Sequence, residues 1–136
     1  MKSFPLRPDW APDPSRFAGL VWPYIENLAP RVMIQSFDFP TLHAMRRLAP
    51  ALPLGALFEG GEGDFAAVAR SAQADIAAPE FSLVTAPRVA AAHAAGIRVY
   101  TWTVNRPRDW RRMIEAGVDA IITDDPAGLI RYLADG

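Results

Sequence analysis

Five short clusters could carry chemistry in this chain, each closing an apolar run: Ser36-Phe37-Asp38, Phe58-Glu59, Pro79-Glu80-Phe81, Trp102-Thr103-Val104-Asn105 and Thr123-Asp124-Asp125. Carboxylates in such places hold cations or exchange protons, and tryptophan offers an apolar wall with one polar handle. None of the five holds a histidine or a basic residue. Asp38, Asn105 and Asp125 each precede a helix, where capping of free backbone amides accounts for them. Asp124 is not the obvious cap, and no second carboxylate converges on it to make a metal site. His43 stands mid-helix and His93 in an alanine-rich helix, so both read as surface or boundary residues. Ser36 has no neighbouring base and no nucleophile elbow around it. The Gly60-Gly61-Glu62-Gly63 run lacks the lysine and spacing of a phosphate loop. Around Trp102, strand alternation sends Tyr100, Trp102 and Val104 to one side and Val99, Thr101 and Thr103 to the other. Trp102 is then a ligand wall or a core filler beneath a helix, and composition leaves both open.

Alternating strands and helices must position these clusters. Residues 1–15 contain Pro5, Pro8, Pro12 and Pro14 and read as a loop. Asp13 and Pro14 start a helix whose stripe is Phe17, Leu20, Val21, Tyr24, Ile25 and Leu28, with Pro23 expected to kink or divide it. A buried strand follows over 31–37. Asp38 and Pro40 open a helix with Leu42, Met45, Leu48 and Ala49 inward. A strand over 54–58 leads through a glycine-rich loop to Asp64, which caps a helix carrying Phe65, Val68, Ala69 and Ala72. A weak strand over 75–78 is ended by Pro79. Thr85 caps an alanine-rich helix that stops at Gly96. Residues 98–104 form the best strand, rich in β-branched and aromatic residues. Asn105 caps a helix with Trp110, Met113 and Ile114 inward, ended by Gly117. The last strand spans 118–123, and a closing helix from Asp125 and Pro126 carries Leu129, Ile130 and Leu133 on one face.

The pattern is α/β: a helix, then about five strand–helix units, which implies parallel strands joined by right-handed crossovers. An open doubly wound sheet and an arc of a β/α barrel both fit. A complete TIM barrel needs ~250 residues and eight strands, more than the 136 residues here. The expected fold is therefore a partial TIM (β/α) barrel forming one domain over 1–136. Hydrophobic residues make up 51% and charged ones 21%, the balance of a globular chain. A formal net charge of −1 gives no field that would gather nucleic acid or anionic lipid. The absence of cysteine rules out disulfides and thiol chemistry and leans toward the cytoplasm. No apolar run approaches the ~18–20 residues of a membrane span, and the N-terminus lacks a signal-peptide core.

Four segments, taken together, carry a resemblance. Val32-Met33-Ile34-Gln35-Ser36-Phe37-Asp38, Pro53-Leu54-Gly55-Ala56-Leu57, Val99-Tyr100-Thr101-Trp102-Thr103-Val104-Asn105 and the run from Gly117 to Pro126 (GVDAIITDDP) follow at suitable intervals. The chain closely resembles the C-terminal half of the glycerophosphodiester phosphodiesterase family. The resemblance implies a TIM-barrel hydrolase that splits glycerophosphodiesters into an alcohol and glycerol 3-phosphate, commonly with Ca²⁺ or Mg²⁺. It also implies an early His-Arg motif and a later histidine as acid and base, with early acidic residues holding the metal. That early machinery, including the metal ligands, is absent from this sequence. Met1-Lys2 resembles the end of the family's Glu-x-Lys motif, which makes Lys2 the expected phosphate-neutralising catalytic residue. Trp102 is expected to line the glycerol pocket, with Phe37 as a second apolar wall.

By that alignment the glutamate of the motif would fall just before Met1. The expectation is a truncated product or a start assigned to an internal methionine. A barrel arc exposes two sheet edges, and such edges template association. The isolated chain is expected to self-associate, to pair with the missing barrel half, or to be marginally stable. Two functions follow: hydrolysis expressed only with the rest of the barrel, or a non-catalytic half-barrel serving as an assembly module.

Overall fold

The computed structural model describes residues 12–61 and 63–135. Helix α1 spans Pro14–Ile25, with the Asp13 carboxylate accepting from the Ser15 and Arg16 amides, both at 3.1 Å. Proline fits the first turn because the amide it lacks is one the helix leaves unpaired anyway. Pro23 does not divide α1: the helix runs on to Ile25 and then tightens into a 3-10 turn over Glu26–Arg31. Strand–helix units follow: β1 (Ile34–Ser36), α2 (Phe39–Leu48), β2 (Leu54–Phe58), α3 (Phe65–Ser71), β3 (Ile76–Pro79) and α4 (Ala86–Ala94). They continue as β4 (Arg98–Thr101), α5 (Pro107–Glu115), β5 (Ala120–Ile121) and α6 (Pro126–Asp135). Gly96 and Gly117 let the chain leave α4 and α5 at φ +76° and +82°, where a side chain would be strained. No helix among the described residues is long and apolar enough to cross a membrane.

The sheet is parallel in the order β1-β2-β3-β4-β5. A doubly wound sheet reverses its strand order at a switch point and so gains helices on both faces. Unbroken sequential order with right-handed crossovers keeps every helix on one face, as in a barrel. Lateral register aligns Ser36, Ala56, Ala77 and Val99 on the helix-covered side. None of these four is more than 1% exposed. Two core clusters lie there. One gathers Leu42, Met45 and Leu54 with α1, and the other gathers Phe65, Val89, Val99, Trp110 and Met113. The opposite face carries Gln35, Gly55, Ile76 and Arg98 in one lateral row.

Strands are shorter than the apolar runs suggest. The run 31–37 pairs only over Ile34–Ser36, 98–104 only over Arg98–Thr101, and 118–123 only over Ala120–Ile121. Single hydrogen bonds extend the last pairing, with Val104 N donating to Ile122 O at 2.9 Å. Seven apolar residues expected on packed faces are exposed: Leu20, Tyr24, Leu28, Leu48, Ile114, Ile130 and Leu133. The stripe spacing was right in each helix, but no other described element covers that part of it. Leu133 and Ile114 instead line a groove between α5 and α6 with Tyr132 and Arg111.

One device pins the N-terminal ends of the strands twice. Asp75, leading into β3, accepts from the Leu54 amide of β2 at 2.9 Å and from Arg46 of α2 at 2.7 Å. Asp119, leading into β5, accepts from the Val99 amide of β4 at 2.7 Å and faces His93 of α4 at 2.8 Å. Each carboxylate thus joins a strand to its neighbour and to the helix before that neighbour. Burial pushes the Asp119 carboxyl up, but the Val99 amide and then His93 and Arg98 outweigh it and hold its pKa below the ordinary 3.8. The unfolded chain therefore takes up this proton first. The stabilisation is complete above the unfolded value of about 3.9 and is lost as pH falls through the lower folded value. Asp119→Ala should cost about 1–2 kcal/mol at pH 7, chiefly through the unpaired Val99 amide. Urea unfolding at pH 7 and pH 3 should show a smaller acid-induced loss in the variant than in the parent.

Candidate functional site

Trp102 follows β4 and is bridged to Glu80 beyond the end of β3. Its Nε1 donates to the Ala78 carbonyl of β3 at 2.7 Å, laying the indole sideways across the strand ends. There it meets Phe37, which follows β1, with ring centroids 5.2 Å apart at an interplanar angle of 87°. Neighbouring strands stand ~4.8 Å apart, so β1 and β4, three steps apart, would be separated by about 14 Å on a flat sheet. Two rings standing parallel on such a sheet would not touch. Their edge-to-face contact shows that the sheet curls, with Phe37 and Trp102 on its concave side. Trp102 is half-buried and Phe37 is 48% exposed, so this pair does not fill a core beneath helices.

Acidic and amide groups surround this pair, and most are engaged. Glu80 accepts from Ser82 N at 2.9 Å and from the Ser82 hydroxyl, both on Oε2, capping the 3-10 turn Phe81–Leu83. Asp38 is buried; its carboxylate accepts from the Thr41 hydroxyl, and its amide donates to Ser36 Oγ at 3.1 Å. Its side chain makes no backbone cap, contrary to the sequence expectation, and takes the Thr41 hydroxyl instead. Asp125 does cap α6, accepting from Gly128 N at 2.8 Å; a Cβ at Gly128 would overlap that carboxylate.

Asn105 corrects the sequence reading more substantially. Arg106, not Asn105, occupies the N-cap position of α5. The Asn105 amide spans two loops instead. Its Nδ2 donates to Asp124 Oδ2 at 2.6 Å, and its Oδ1 accepts from Asp124 N at 2.9 Å and Thr123 Oγ1 at 3.1 Å. This clasp ties the β4–α5 loop to the β5–α6 loop, so Asp124 is a structural partner. The sequence signal was the amide directly after WTV facing the acidic TDD run, but pairing them needs the β4–β5 adjacency.

The histidines lie elsewhere. His43 Nε2 is 2.8 Å from the Ser71 carbonyl at the end of α3, and His93 faces Asp119; both sites lie toward the N-terminal ends of the strands. Lys2 lies outside the described residues. Among the described residues there is no group of three histidine, cysteine, aspartate or glutamate side chains that could hold a metal ion. A divalent cation therefore does not fit the described residues by themselves. What they form is an aromatic wall with an acidic rim, suited to binding an organic group.

Comparison with known proteins gives one answer. Residues 16–128 match the model of the glycerophosphoryl diester phosphodiesterase family. A curated glycerophosphodiester phosphodiesterase from Caldanaerobacter subterraneus subsp. tengcongensis is 36% identical over 110 residues, which cover 81% of this chain and 45% of that one. The crystal structure of a candidate glycerophosphoryl diester phosphodiesterase from Silicibacter pomeroyi superposes with a TM-score of 0.88 at 35% identity, over 98% of this chain and 48% of that one. A glycerophosphodiester phosphodiesterase from Parabacteroides distasonis shares the fold, with a TM-score of 0.79 at 21% identity over 99% of this chain and 55% of that one. The chain spans about half the length of these relatives.

Proposed function

The chain belongs to the glycerophosphoryl diester phosphodiesterase family, and from that premise we propose that it supplies the substrate-facing wall of a metal-dependent glycerophosphodiester hydrolase. The reaction adds water across a P–O bond and releases an alcohol and glycerol 3-phosphate. The observation that carries the reading is the Phe37–Trp102 pair on the concave side of the strand ends, where β/α barrels bind their ligands. In this proposal Trp102 packs against the glycerol carbons and Phe37 forms the second apolar wall. Lys2, outside the described residues, would neutralise the phosphate as a point charge. The family is generally metal-dependent, and the proposal assigns the Ca²⁺ or Mg²⁺ ligands and the acid–base histidines to a part of the barrel not in this sequence.

The five strands of the described residues leave a barrel three units short of eight. Apolar side chains are exposed at both ends of the arc, with Leu20, Tyr24 and Leu28 on or after α1 and Ile130 and Leu133 on α6. These faces support a second element of the proposal, assembly with the complementary units. Mixing the chain with the strand–helix units that complete the barrel in the Caldanaerobacter relative should give a 1:1 complex. That complex should release glycerol 3-phosphate when Mg²⁺ or Ca²⁺ is present. A self-associated chain that ignores those units would overturn the assembly element.

A further inference from the structure

Resting on the reading of Phe37 and Trp102 as the substrate wall, we infer that Asp38 and Thr41 are positioning residues for Phe37, holding its ring out at the wall. Phe37 is 48% exposed, yet its chain neighbours Ser36 and Asp38 are only 1% and 8% exposed, and Thr41 is fully buried. A phenyl ring gains free energy by leaving water, so a ring left half in solvent needs something to keep it there. Its edge contact with Trp102, at 5.2 Å between centroids, covers only part of it.

Asp38 supplies the hold. Among the described residues it is the only acid or base that is buried, and a carboxyl group is kept out of water only where hydrogen bonds replace the solvent. Asp38 is bonded through its amide, its carbonyl and its side chain. The amide donates to Ser36 Oγ at 3.1 Å, closing a turn with Phe37 at its apex. The carbonyl accepts from the Thr41 and Leu42 amides at 3.1 and 3.3 Å, and the carboxylate accepts from the Thr41 hydroxyl. Capping would serve α2 alone; the bond to Thr41 instead ties the Phe37 turn to the first turn of that helix. A bonded, buried network of this kind stiffens the backbone that it spans. Turning Phe37 into the core would, by strand alternation, rotate Ser36 and Asp38 outward and break these bonds.

The test is NMR on the full chain with two readouts. One is the nuclear Overhauser contact between the Phe37 ring and the Trp102 indole; the other is the shift of the Trp102 indole N–H on titration with glycerol 3-phosphate. Thr41→Val, which matches the shape but lacks the hydroxyl, should abolish the contact and raise the half-saturating concentration about fivefold. Thr41→Ser keeps the hydroxyl and should behave as the parent. Asp38→Ser covers the case of a valine variant that does not fold. Serine caps α2 well but is too short to reach Thr41, so the contact should go while circular dichroism keeps the parental helix signal. A ring contact that survives in Asp38→Ser, or in a folded Thr41→Val, would overturn the positioning role and leave the substrate wall standing. Loss of the contact with unchanged glycerol 3-phosphate binding would remove Phe37 from the wall. No response of Trp102 in the parent chain would overturn the wall itself.

Discussion

Trp102→Ala should lower kcat/KM for glycerophosphodiester hydrolysis by the completed barrel by about one to two orders of magnitude. An indole face covering about 100 Å² of substrate carbon at ~25 cal/mol per Å² contributes about 2.5 kcal/mol, and about 1.4 kcal/mol is a tenfold change. The variant also loses the hydrogen bond to Ala78 O and the edge contact with Phe37. Those losses should cost about 1–2 kcal/mol of stability. Trp102→Phe separates the two roles. It keeps an apolar ring at the wall and removes the N–H, so activity should fall much less than in the alanine variant. Steady-state kinetics on both variants, with urea unfolding alongside, checks this. An unchanged kcat/KM in Trp102→Ala would remove Trp102 from the site.

Phe65→Ala should show the largest stability effect in the chain, about 3–5 kcal/mol. Phe65 is 1% exposed, contacts Phe58 and lies under the Arg88 guanidinium at 5.8 Å, joining α3 to β2 and α4. A domain holds only about 5–15 kcal/mol in total, and apolar side chains stay exposed at both ends of the described arc. Loss of a cooperative transition at 37 °C is the expected outcome in circular dichroism. Phe65→Leu keeps most of the volume and should cost less than about 1.5 kcal/mol. A Phe65→Ala melting curve matching the parent would mean that the described core is not what holds the fold.

Helices and strands were legible wherever a local rule sufficed. The Asp13 and Asp64 caps accept from the amides of their own first turns, and the glycines after α4 and α5 take the left-handed conformation. What local rules omit is the identity of the neighbour. Helical spacing identified the stripes containing Leu48, Ile114, Ile130 and Leu133 but could not say which part of each is covered. Asn105 offered an ordinary cap, and Asp124, brought near only by the β4–β5 pairing, provided a charged partner that won instead. The choice between wall and core filler for Trp102 depended on sheet curvature, which no periodicity encodes. Phe37 and Trp102 were expected as two walls of one pocket on the family resemblance alone, and it is the curled sheet that brings their rings together.

Glycerol 3-phosphate release by the purified chain alone, with Mg²⁺ or Ca²⁺ and a glycerophosphodiester present, is the most direct measurement. The account predicts none, because the described residues hold no group of three side chains that could bind a metal ion and both histidines lie away from the Phe37–Trp102 wall. Sustained turnover by the 136-residue chain without any complementary units would contradict it.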